Sequence, residues 1–434
     1  MKKASTVEEV IALIPSTTRI FLQGGCATPL SLVDGLVSAA NRFKHSEIIH
    51  LHTSSSAGYA DPKYKESFRV LNLFVGAQFR PLIDYDQVDY LPCFLSEMPQ
   101  LFRKRIVAPE VSLIHVSPPD THGYCSLGTS VDITKAAIEV SKLVIAQINP
   151  KMPRTHGDGF IHIDQIHAFV EVNDDIPELK PKPLTKIELA IGQHTSQLIE
   201  NGSTLQVGIG SIPDAVLAAL TNHQNLGLHT EMWSDGAIPL LEKGIINNTL
   251  KSIHPGKTVS AFVAGTKKLF DYIHDNPAVV LLDVAYVNNP RVIAKNRKVV
   301  SINSAVEIDL SGQVCADSIG THVISGVGGQ IDFIRGAALS DGGKPIIAMT
   351  SRTKNNQPRI VPVLKSGAGV VTTRAHVHHV VTEYGSVDLF GQSIAQRAKS
   401  LISIAHPDDR EGLERQWHEA IGKTSRKMKP SSCT

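Results

Sequence analysis

The sequence predicts an α/β protein of two domains, each built on a mainly parallel sheet that helices flank. Three observations support this prediction. In both halves of the chain, short apolar segments alternate with helical patterns, as expected for parallel strands joined by right-handed crossovers. The chain has 434 residues, which exceeds the size that one hydrophobic core usually serves. Three prolines within seven residues (177–183) separate the two halves.

In the first half, an apolar segment at 20–22 runs into Gly24 and Gly25, and helical spacing begins at Thr28. A second helix is expected at 131–139, because apolar residues recur there near the helical period. Short apolar runs predict further strands at 47–52, 71–75, 111–116 and 143–148.

The segment with Pro177, Pro181 and Pro183 can continue neither a helix nor a central strand, so it is expected to be an extended, semi-rigid linker. This places one domain at 1–180 and the other at 181–422. The remaining residues, 423–434, are polar, basic and rich in serine, and disorder is the expectation for this tail.

The second half begins with a predicted helix at 186–201, which Gly202 ends. A strand at 204–207 follows and leads into a glycine-rich turn. Further strands are predicted at 226–229, 259–263, 299–302, 345–349 and 368–372.

Composition excludes several classes of function. Apolar residues make up 42% of the chain and charged residues 19%, as in a folded globular protein. The net charge of +2 is dispersed rather than gathered into a basic stripe, so no nucleic-acid partner is expected. Neither a run of eighteen apolar residues nor a signal peptide is found, which favours a cytoplasmic protein without membrane partners.

The five cysteines (Cys26, Cys93, Cys125, Cys315 and Cys433) lack CxxC spacing, which argues against disulfides and structural zinc. Cys26 is interpreted as a small buried thiol rather than a nucleophile. The only histidine cluster, His376, His378 and His379, lies in an alternating run at 375–382 that predicts a strand with one polar face. No metal site is expected.

Two glycine-rich turns carry candidate chemistry. Gly208-Ile209-Gly210-Ser211-Ile212 joins a strand to a helix, and its free amides would suit an anion, although a tight connection without a ligand remains the alternative. Pro213 stands where a dinucleotide fingerprint needs its third glycine, which disfavours a nicotinamide cofactor. Ser211 also lacks the second glycine of a serine-hydrolase elbow.

In the second turn, Gly326, Gly328 and Gly329 give three glycines in four residues, which is costly in conformational entropy. Such a loop could direct amides at a developing oxyanion, or it could be a tight chain crossing. Glu231 follows the strand at 226–229, near the edge of a sheet where ligands gather. Spacing alone leaves an ordinary loop glutamate the better interpretation, and Glu307 and Glu383 are rival nucleophiles.

Five motifs in one order give a more specific signal. They are PPDTHGYCSLGTS (118–130), INPKMPRTHG (148–157), HTEMWSDG (229–236), NSAVEIDL (303–310) and GVGGQIDF (326–333). With them the chain resembles the acetyl-CoA hydrolase/transferase family, most closely its branch of 4-hydroxybutyrate and butyrate CoA-transferases. The resemblance extends from about residue 21 to about residue 397.

This resemblance implies two α/β domains of the CoA-transferase fold with the active site between them. It implies Glu231 as the nucleophile, Gly329 as a backbone donor and Asn288 as an active-site amide, although the adjacent Asn289 competes for that role. CoA is expected to contact the turn formed by Gly208, Ile209, Gly210, Ser211 and Ile212, together with Gly326 and Gly328. Gly24 and Gly25 are expected to line the opposite wall of the substrate pocket.

The implied reaction transfers CoA from an acyl-CoA to a short carboxylate, such as acetate, butyrate or 4-hydroxybutyrate, through a glutamyl-CoA thioester. CoA would be a co-substrate, and neither metal nor nicotinamide would be needed. Family members suggest a homodimer. The alternatives are an acyl-CoA hydrolase on the same scaffold, a non-catalytic CoA-binding protein and, with less support, a NAD-dependent dehydrogenase.

Overall fold

The computed structural model describes residues 2–3 and 6–427. The strands in these residues are β1 Lys2–Lys3, β2 Arg19–Leu22, β3 Ser46–His50, β4 Phe68–Asn72, β5 Val88–Tyr90, β6 Val111–Val116, β7 Tyr124–Ser126, β8 Leu143–Ile148, β9 His156–Gly157, β10 Phe160–His162, β11 Ala168–Glu171, β12 Thr204–Gln206, β13 Gly227–Leu228, β14 Met232–Trp233, β15 Thr258–Ser260, β16 Phe262–Val263, β17 Val279–Leu281, β18 Val299–Asn303, β19 Glu307–Asp309, β20 Val314–Cys315, β21 Ser318–Ile319, β22 His322–Val323, β23 Lys344–Ala348, β24 Ile360–Val361, β25 His379–Thr382 and β26 Gly385–Asp388.

The α-helices are α1 Val7–Ile11, α2 Leu30–Ser38, α3 Met98–Arg103, α4 Thr134–Val140, α5 Lys186–Ser196, α6 Ser211–Ala219, α7 Ile238–Glu242, α8 Lys267–Ile273, α9 Val284–Val287, α10 Pro290–Ile293, α11 Gln330–Leu339, α12 Ile394–Ser403 and α13 Pro407–Lys427. Short 3-10 helices lie at Ala40–Arg42, Gly58–Ala60, Pro62–Tyr64, Arg80–Leu82, Leu95–Glu97, Ile163–Gln165 and Asp235–Ala237.

The first half contains an eight-stranded sheet in the order β1-β11-β8-β6-β2-β3-β4-β5. All of its neighbouring strands are parallel. Because side chains alternate along a strand, Ile20 and Leu22 pack on one face with α1 and α2, whereas Phe21 packs on the other face against Phe102 of α3. This sheet with helices on both faces is the predicted α/β layer.

The second half contains a six-stranded sheet in the order β13-β12-β18-β23-β25-β26. Its neighbours are parallel except β25 and β26, which form an antiparallel hairpin because only two residues join them. One hydrophobic cluster includes residues of both halves, among them Phe21 and Ile114 from the first and Leu205 and Ile302 from the second. The core is therefore continuous across the two halves.

Many predicted elements agree with the structure. The strands predicted at 111–116 and 143–148 coincide with β6 and β8, and helix α5 begins at the predicted residue. Thr185 and Glu188 form a capping box at that start, and each accepts from the backbone amide of the other. The helix ends at Ser196 rather than at 201.

Four predicted strands differ from the structure. The strand predicted at 71–75 lies at 68–72, where it pairs with β3 and β5. Residues 259–263 divide into β15 and β16, because the first pairs with β17 and the second with β14. Residues 368–372 form no strand; only Thr372 bridges to Val314. The strand predicted at 375–382 begins at His379, because a hydrogen-bonded turn between Thr373 and His376 precedes it.

The proline-rich segment is extended, with neither helix nor strand between residues 172 and 185, and residues 178–183 are mostly exposed. A domain limit at residue 180 stays a prediction, since β9 of the first half pairs with β17 of the second. Helix α13 continues to Lys427, whereas disorder was expected from residue 423; residues 428–434 lie outside the described residues. No helix among the described residues is long and apolar enough to cross a membrane.

Candidate active site

Glu231 lies between β13 and β14, at the edge of the six-stranded sheet. Its backbone oxygen accepts hydrogen bonds from the amides of Ala261 and Phe262, at 2.9 and 3.3 Å. These bonds fix the main chain, and the side chain forms part of the wall of a cavity of about 330 Å³. The predicted nucleophile is therefore at a cavity rather than in an ordinary surface loop.

Asn288 and Gly329 meet the carboxylate of Glu231. The Asn288 Nδ2 donates to Oε2 of Glu231 at 2.8 Å, and the backbone N–H of Gly329 also donates to this carboxylate. A Cβ atom at position 329 would overlap both Oε2 of Glu231 and Nδ2 of Asn288. Only glycine lets the backbone approach this closely, so the three residues form one compact constellation.

Burial of the carboxylate raises the pKa of Glu231 to about 7. The bonds from Asn288 and Gly329 act in the opposite direction, whereas the nearby carboxylates of Asp332 and Asp132 add to the increase. Burial also raises the pKa of Asp332 to about 7, against the bonds that it accepts from Ser96 and Asn288. A carboxyl group with a perturbed pKa in a cavity, such as that of Glu231, is a common property of functional sites.

The two adjacent asparagines have different roles. Asn288 is fully buried and faces Glu231. Asn289 is the N-cap of α10, where its side chain accepts from the amide of Arg291 at 2.9 Å. Asn288 is thus the one that contacts the carboxylate.

The glycine-rich turns divide between two cavities. Gly208, Ile209, Gly326 and Gly328 line the cavity that contains Glu231. A second cavity, of about 450 Å³, shares Ile209 with the first and is lined further by Gly210 and Ser211. Ile212 lines neither; it packs against the hydrophobic core instead.

The second cavity is bounded by the proline-rich segment and by the start of α6. Gly210 caps that helix with a φ of +116°, a conformation that favours glycine. The cationic side chains in its wall are Lys180, Lys182 and Lys354. The same wall carries the carboxylates of Glu188, Asp214 and Asp235, and Asp214 lies in the first turn of α6, so cationic and anionic side chains are equal in number there.

Gly24 and Gly25 are buried but do not line the cavity of Glu231. They pack against His52, whose ring contacts Phe74 of the cavity wall at a centroid distance of 5.9 Å. They therefore lie behind the wall of this cavity. Asp132 lies beside Gly24, and its Oδ1 accepts from the amides of Ile133 and Thr134, whereas the N-cap residue of α4 is Ile133.

The rival glutamates have structural partners. Glu307 is buried and paired with Lys365, whose Nζ is 3.3 Å from Oε2. Glu383 accepts from the amide and the hydroxyl of Ser351 at 2.9 and 2.6 Å. Neither lines the cavity. Cys26 is buried, and burial raises the pKa of its thiol to about 11, so it is not an activated nucleophile.

No group of three or more histidine, cysteine or acidic side chains suited to a metal ion occurs in residues 2–3 and 6–427. The ring of His378 stacks on Phe390, and His376 shares a hydrogen bond with Thr373. Cys93, Cys125 and Cys315 are free thiols, and Cys433 lies outside the described residues.

Several cavity residues were not predicted. Phe74 comes from the first half and packs over Gly326 and Gly328. Asn303 and Gln330 line the cavity, and Asp332 lies next to Asn288. These three lie in motifs noted above, so a signal existed for them, whereas nothing in the sequence distinguishes Phe74 from a core strand residue.

Comparison with known proteins identifies the family of the chain. Residues 1–180 match the acetyl-CoA hydrolase/transferase N-terminal domain, and residues 265–417 match the corresponding C-terminal domain. The succinyl-CoA:acetate/propanoyl-CoA:succinate CoA transferase of Fasciola hepatica is 50% identical over 95% of this chain and 87% of its own. The 4-hydroxybutyrate coenzyme A transferase of Clostridium kluyveri is 48% identical over 96% and 97%.

Among solved structures, the 4-hydroxybutyrate CoA-transferase of Porphyromonas gingivalis superposes with a TM-score of 0.82 at 37% identity, covering 96% of this chain and 98% of that one. An acetyl-CoA hydrolase of Kluyveromyces lactis is more distant, at 25% identity over 94% of this chain and 87% of its own. The fold and these relatives define an enzyme of the CoA-transferase class. The chain belongs to the acetyl-CoA hydrolase/transferase family.

Proposed function

We propose that this enzyme transfers CoA from a short-chain acyl-CoA to a carboxylate of the acetate, butyrate or 4-hydroxybutyrate type, through a glutamyl-CoA thioester on Glu231. The observation that carries the proposal is the constellation in which Asn288 donates to the Glu231 carboxylate and the backbone of Gly329 closely approaches it, inside a cavity. A carboxylate nucleophile with amide donors beside it is what acyl transfer through an anhydride requires.

In the first half-reaction, the Glu231 carboxylate attacks the thioester carbonyl of the acyl-CoA. The C–S bond breaks, the CoA thiolate departs, and the acyl group and Glu231 form a mixed anhydride. The thiolate then attacks the glutamyl carbonyl, which releases the first carboxylate and forms the glutamyl-CoA thioester. An incoming carboxylate reverses these steps: it displaces thiolate from the glutamyl carbonyl, and the thiolate takes the new acyl group. The thioester is conserved, so the exchange needs no ATP.

Each tetrahedral intermediate places a negative charge next to Glu231. The amide of Asn288, the N–H of Gly329 and the start of α11 are the donors nearest to that charge. One such donor can contribute about 3–4 kcal/mol to the transition state, since it is already oriented. Hence the same donors that contact the resting carboxylate serve the reaction.

The two cavities suggest how CoA binds. They meet at Ile209, so a pantetheine arm could pass from Glu231 over Gly210 to the lysine-lined cavity. Lys180, Lys182 and Lys354 would then hold the phosphates of the nucleotide, although Glu188, Asp214 and Asp235 lie in the same wall. Binding energy from these remote contacts would support the chemistry at the thioester.

The Glu231 cavity also bears on the choice of acid. Apart from Glu231, its lining is apolar or neutral and polar, with Phe74, Val207 and Met232 beside Gln206, Asn303 and Ser325. A methyl or hydroxyl end of a short acid fits such a lining, as in butyrate or 4-hydroxybutyrate. Relatives named for 4-hydroxybutyrate and for butyryl-CoA:acetate exchange support this class.

The test is to incubate the enzyme with butyryl-CoA, reduce with borohydride and map the modified residue. Reduction of a glutamyl thioester should mark Glu231, and Glu231→Gln should abolish both the mark and the exchange. Glu307→Gln and Glu383→Gln are the matched controls and should keep the mark at 231. A mark at either rival position would refute the assignment.

Ping-pong kinetics with acetate, butyrate and 4-hydroxybutyrate as acceptors would complete the test. Release of CoA at full rate without an acceptor would instead favour an acyl-CoA hydrolase, the activity of the distant Kluyveromyces lactis relative. Full exchange by Glu231→Ala would favour a protein that binds CoA without this chemistry. We also propose a homodimer in the cytoplasm, which light scattering and cell fractionation can check.

A further inference from the structure

Asp332 is a buried carboxylate for which the proposed reaction has no direct use. It lies in the first turn of α11, three residues after Gly329, and is only 3% exposed. Its partners belong to both halves of the chain. Oδ2 accepts from the amide of Ser96 at 3.1 Å, and Oδ1 accepts from the hydroxyl of Ser96 at 2.8 Å.

The side-chain amide of Asn288 also acts on the Asp332 carboxylate and lowers its pKa. The Nδ2 group of Asn288 thus donates to Glu231 at 2.8 Å and lies near the carboxylate of Asp332 as well. Its Oδ1 is buried and has no hydrogen-bond partner in the part of the chain that the structure describes. Consequently, only the bonds of Nδ2 decide which way this amide points.

A flip of the Asn288 amide would turn Oδ1 towards Glu231. An acceptor would then face the nucleophile and, during the reaction, the developing oxyanion, where a donor is required. With the carboxylates of Glu231 and Asp332 both on the Nδ2 side, this flip is unfavourable. Glu231 could not prevent the flip by itself, because it is no longer a charged acceptor once it is acylated. The acceptor that keeps its place throughout the cycle is Asp332.

Asp332 is itself held from the opposite side of the site. Besides the two bonds from Ser96, the amide of Leu95 donates to the oxygen of Gly328 at 3.0 Å, and that of Val327 donates to the hydroxyl of Tyr90 at 2.9 Å. The first half of the chain therefore fixes both the glycine loop and the carboxylate that follows it.

We propose that Asp332 is a positioning residue that, anchored by Ser96, keeps the Nδ2 group of Asn288 directed at the reacting carbonyl while Glu231 is acylated. Its action is on Asn288 and not on the substrate. The proposal rests on the function proposed above, because it assigns a role within the glutamyl-CoA cycle.

The experiment is a double-mutant cycle of Asp332→Asn and Asn288→Ala in the full-length enzyme. Exchange is measured at a pH well above neutrality, where both carboxylates are ionised. Asp332→Asn should lower kcat by about tenfold, less than the 10²–10³-fold that loss of a whole donor costs. The KM for butyryl-CoA should change less than about twofold. In the Asn288→Ala background, Asp332→Asn should cause almost no further loss, because the group that it orients is gone.

Two further variants separate positioning from folding. Ser96→Ala removes one bond to Asp332 and should give a smaller loss of kcat that is also absent in the Asn288→Ala background. Asp309→Asn is the matched control, because Asp309 is a buried carboxylate that accepts from Ser311 and Gln313 in a turn. It should lower Tm without changing kcat.

An unchanged kcat in Asp332→Asn, or an equal loss in both backgrounds, would overturn the proposal. Borohydride mapping of the same variants distinguishes this failure from that of the proposed function. If Glu231 is still marked, only the role of Asp332 is refuted. If another residue is marked, the function itself is refuted.

Discussion

The backbone of Gly329 approaches Oε2 of Glu231 so closely that a single added methyl group would occupy the position of that oxygen. The contact joins the start of α11 to the loop between β13 and β14. Gly329 and Glu231 are 98 residues apart in the chain (329 minus 231). This contact makes the hydrogen-bond donor and the proposed nucleophile inseparable in space.

Gly329→Ala should displace either Glu231 or the start of α11, and exchange activity should fall by at least about 10²-fold, as for loss of an oxyanion donor. Steady-state kinetics with butyryl-CoA and acetate measures the loss. The control is Gly412→Ala, a helical glycine of α13 with no neighbouring atom within 4 Å of its Cβ position. That change should preserve activity and stabilise the helix by up to about 1 kcal/mol. Equal kinetics for the two variants would contradict the assignment of Gly329.

Asn288→Ala should lower kcat by about 10²–10³-fold, because it removes the side-chain donor to Glu231. Asn289→Ala is the neighbouring control. It removes the N-cap of α10 and should cost about 1 kcal/mol of unfolding free energy with little change in kcat. Denaturant unfolding and exchange kinetics of both variants give the comparison. The reverse pattern would assign the active-site amide to position 289.

The pH dependence follows from the raised pKa of Glu231, about 7, for which burial is the main cause. Only the ionised carboxylate is a nucleophile, so kcat/KM should be constant above this pKa and should fall as the pH drops below about 7. Asp332 titrates in the same range, so the profile reports the pair rather than one residue. Since Asp332 and Asp132 each raise the pKa of Glu231, Asp332→Asn should move the acid limb to lower pH. A limb that stays near the usual glutamate pKa in the wild type would contradict this prediction.

Lys354→Ala and Lys182→Ala should raise the KM for butyryl-CoA by about threefold to tenfold, that is up to about 1.4 kcal/mol each. The reason is the loss of a cation from the cavity proposed for the CoA phosphates. The effect should shrink at high salt, and the KM for acetate should not change. Lys44→Ala, which removes an exposed lysine of the first half, is the control. A change in the KM for acetate alone would place the nucleotide elsewhere.

Much of the fold was accessible from sequence, because local patterns determined it. Strands such as β6 and β8 are continuous apolar runs, and the capping box at Thr185 marks the start of α5 unambiguously. The segment 368–372 has the same composition as a strand, but the amide of Ala368 bonds to the oxygen of Lys365 in a turn, that of Gly369 to the hydroxyl of Ser318, and only Thr372 has a bridge partner. Pairing of this kind depends on distant residues that no local pattern contains.

The site divides in the same way. The motifs containing Glu231 and Gly329 gave both residues, yet they could not decide between Asn288 and Asn289, since only the direction of each side chain separates a cap from a contact. Ile212 belongs to the predicted turn but faces the core. Phe74 and Ser96 reach the site because the first half packs on the second. Neither segment contains a local sequence pattern that predicts such packing.

The two halves share one interior, and the strand at His156–Gly157 is hydrogen-bonded to Val279–Leu281 of the opposite half. A protease that cuts the exposed proline-rich segment would break the covalent link between the two halves without separating them. The nicked enzyme should therefore elute as a single species and melt in one cooperative transition. By the same reasoning, either half produced alone would expose a large hydrophobic surface to solvent and should aggregate.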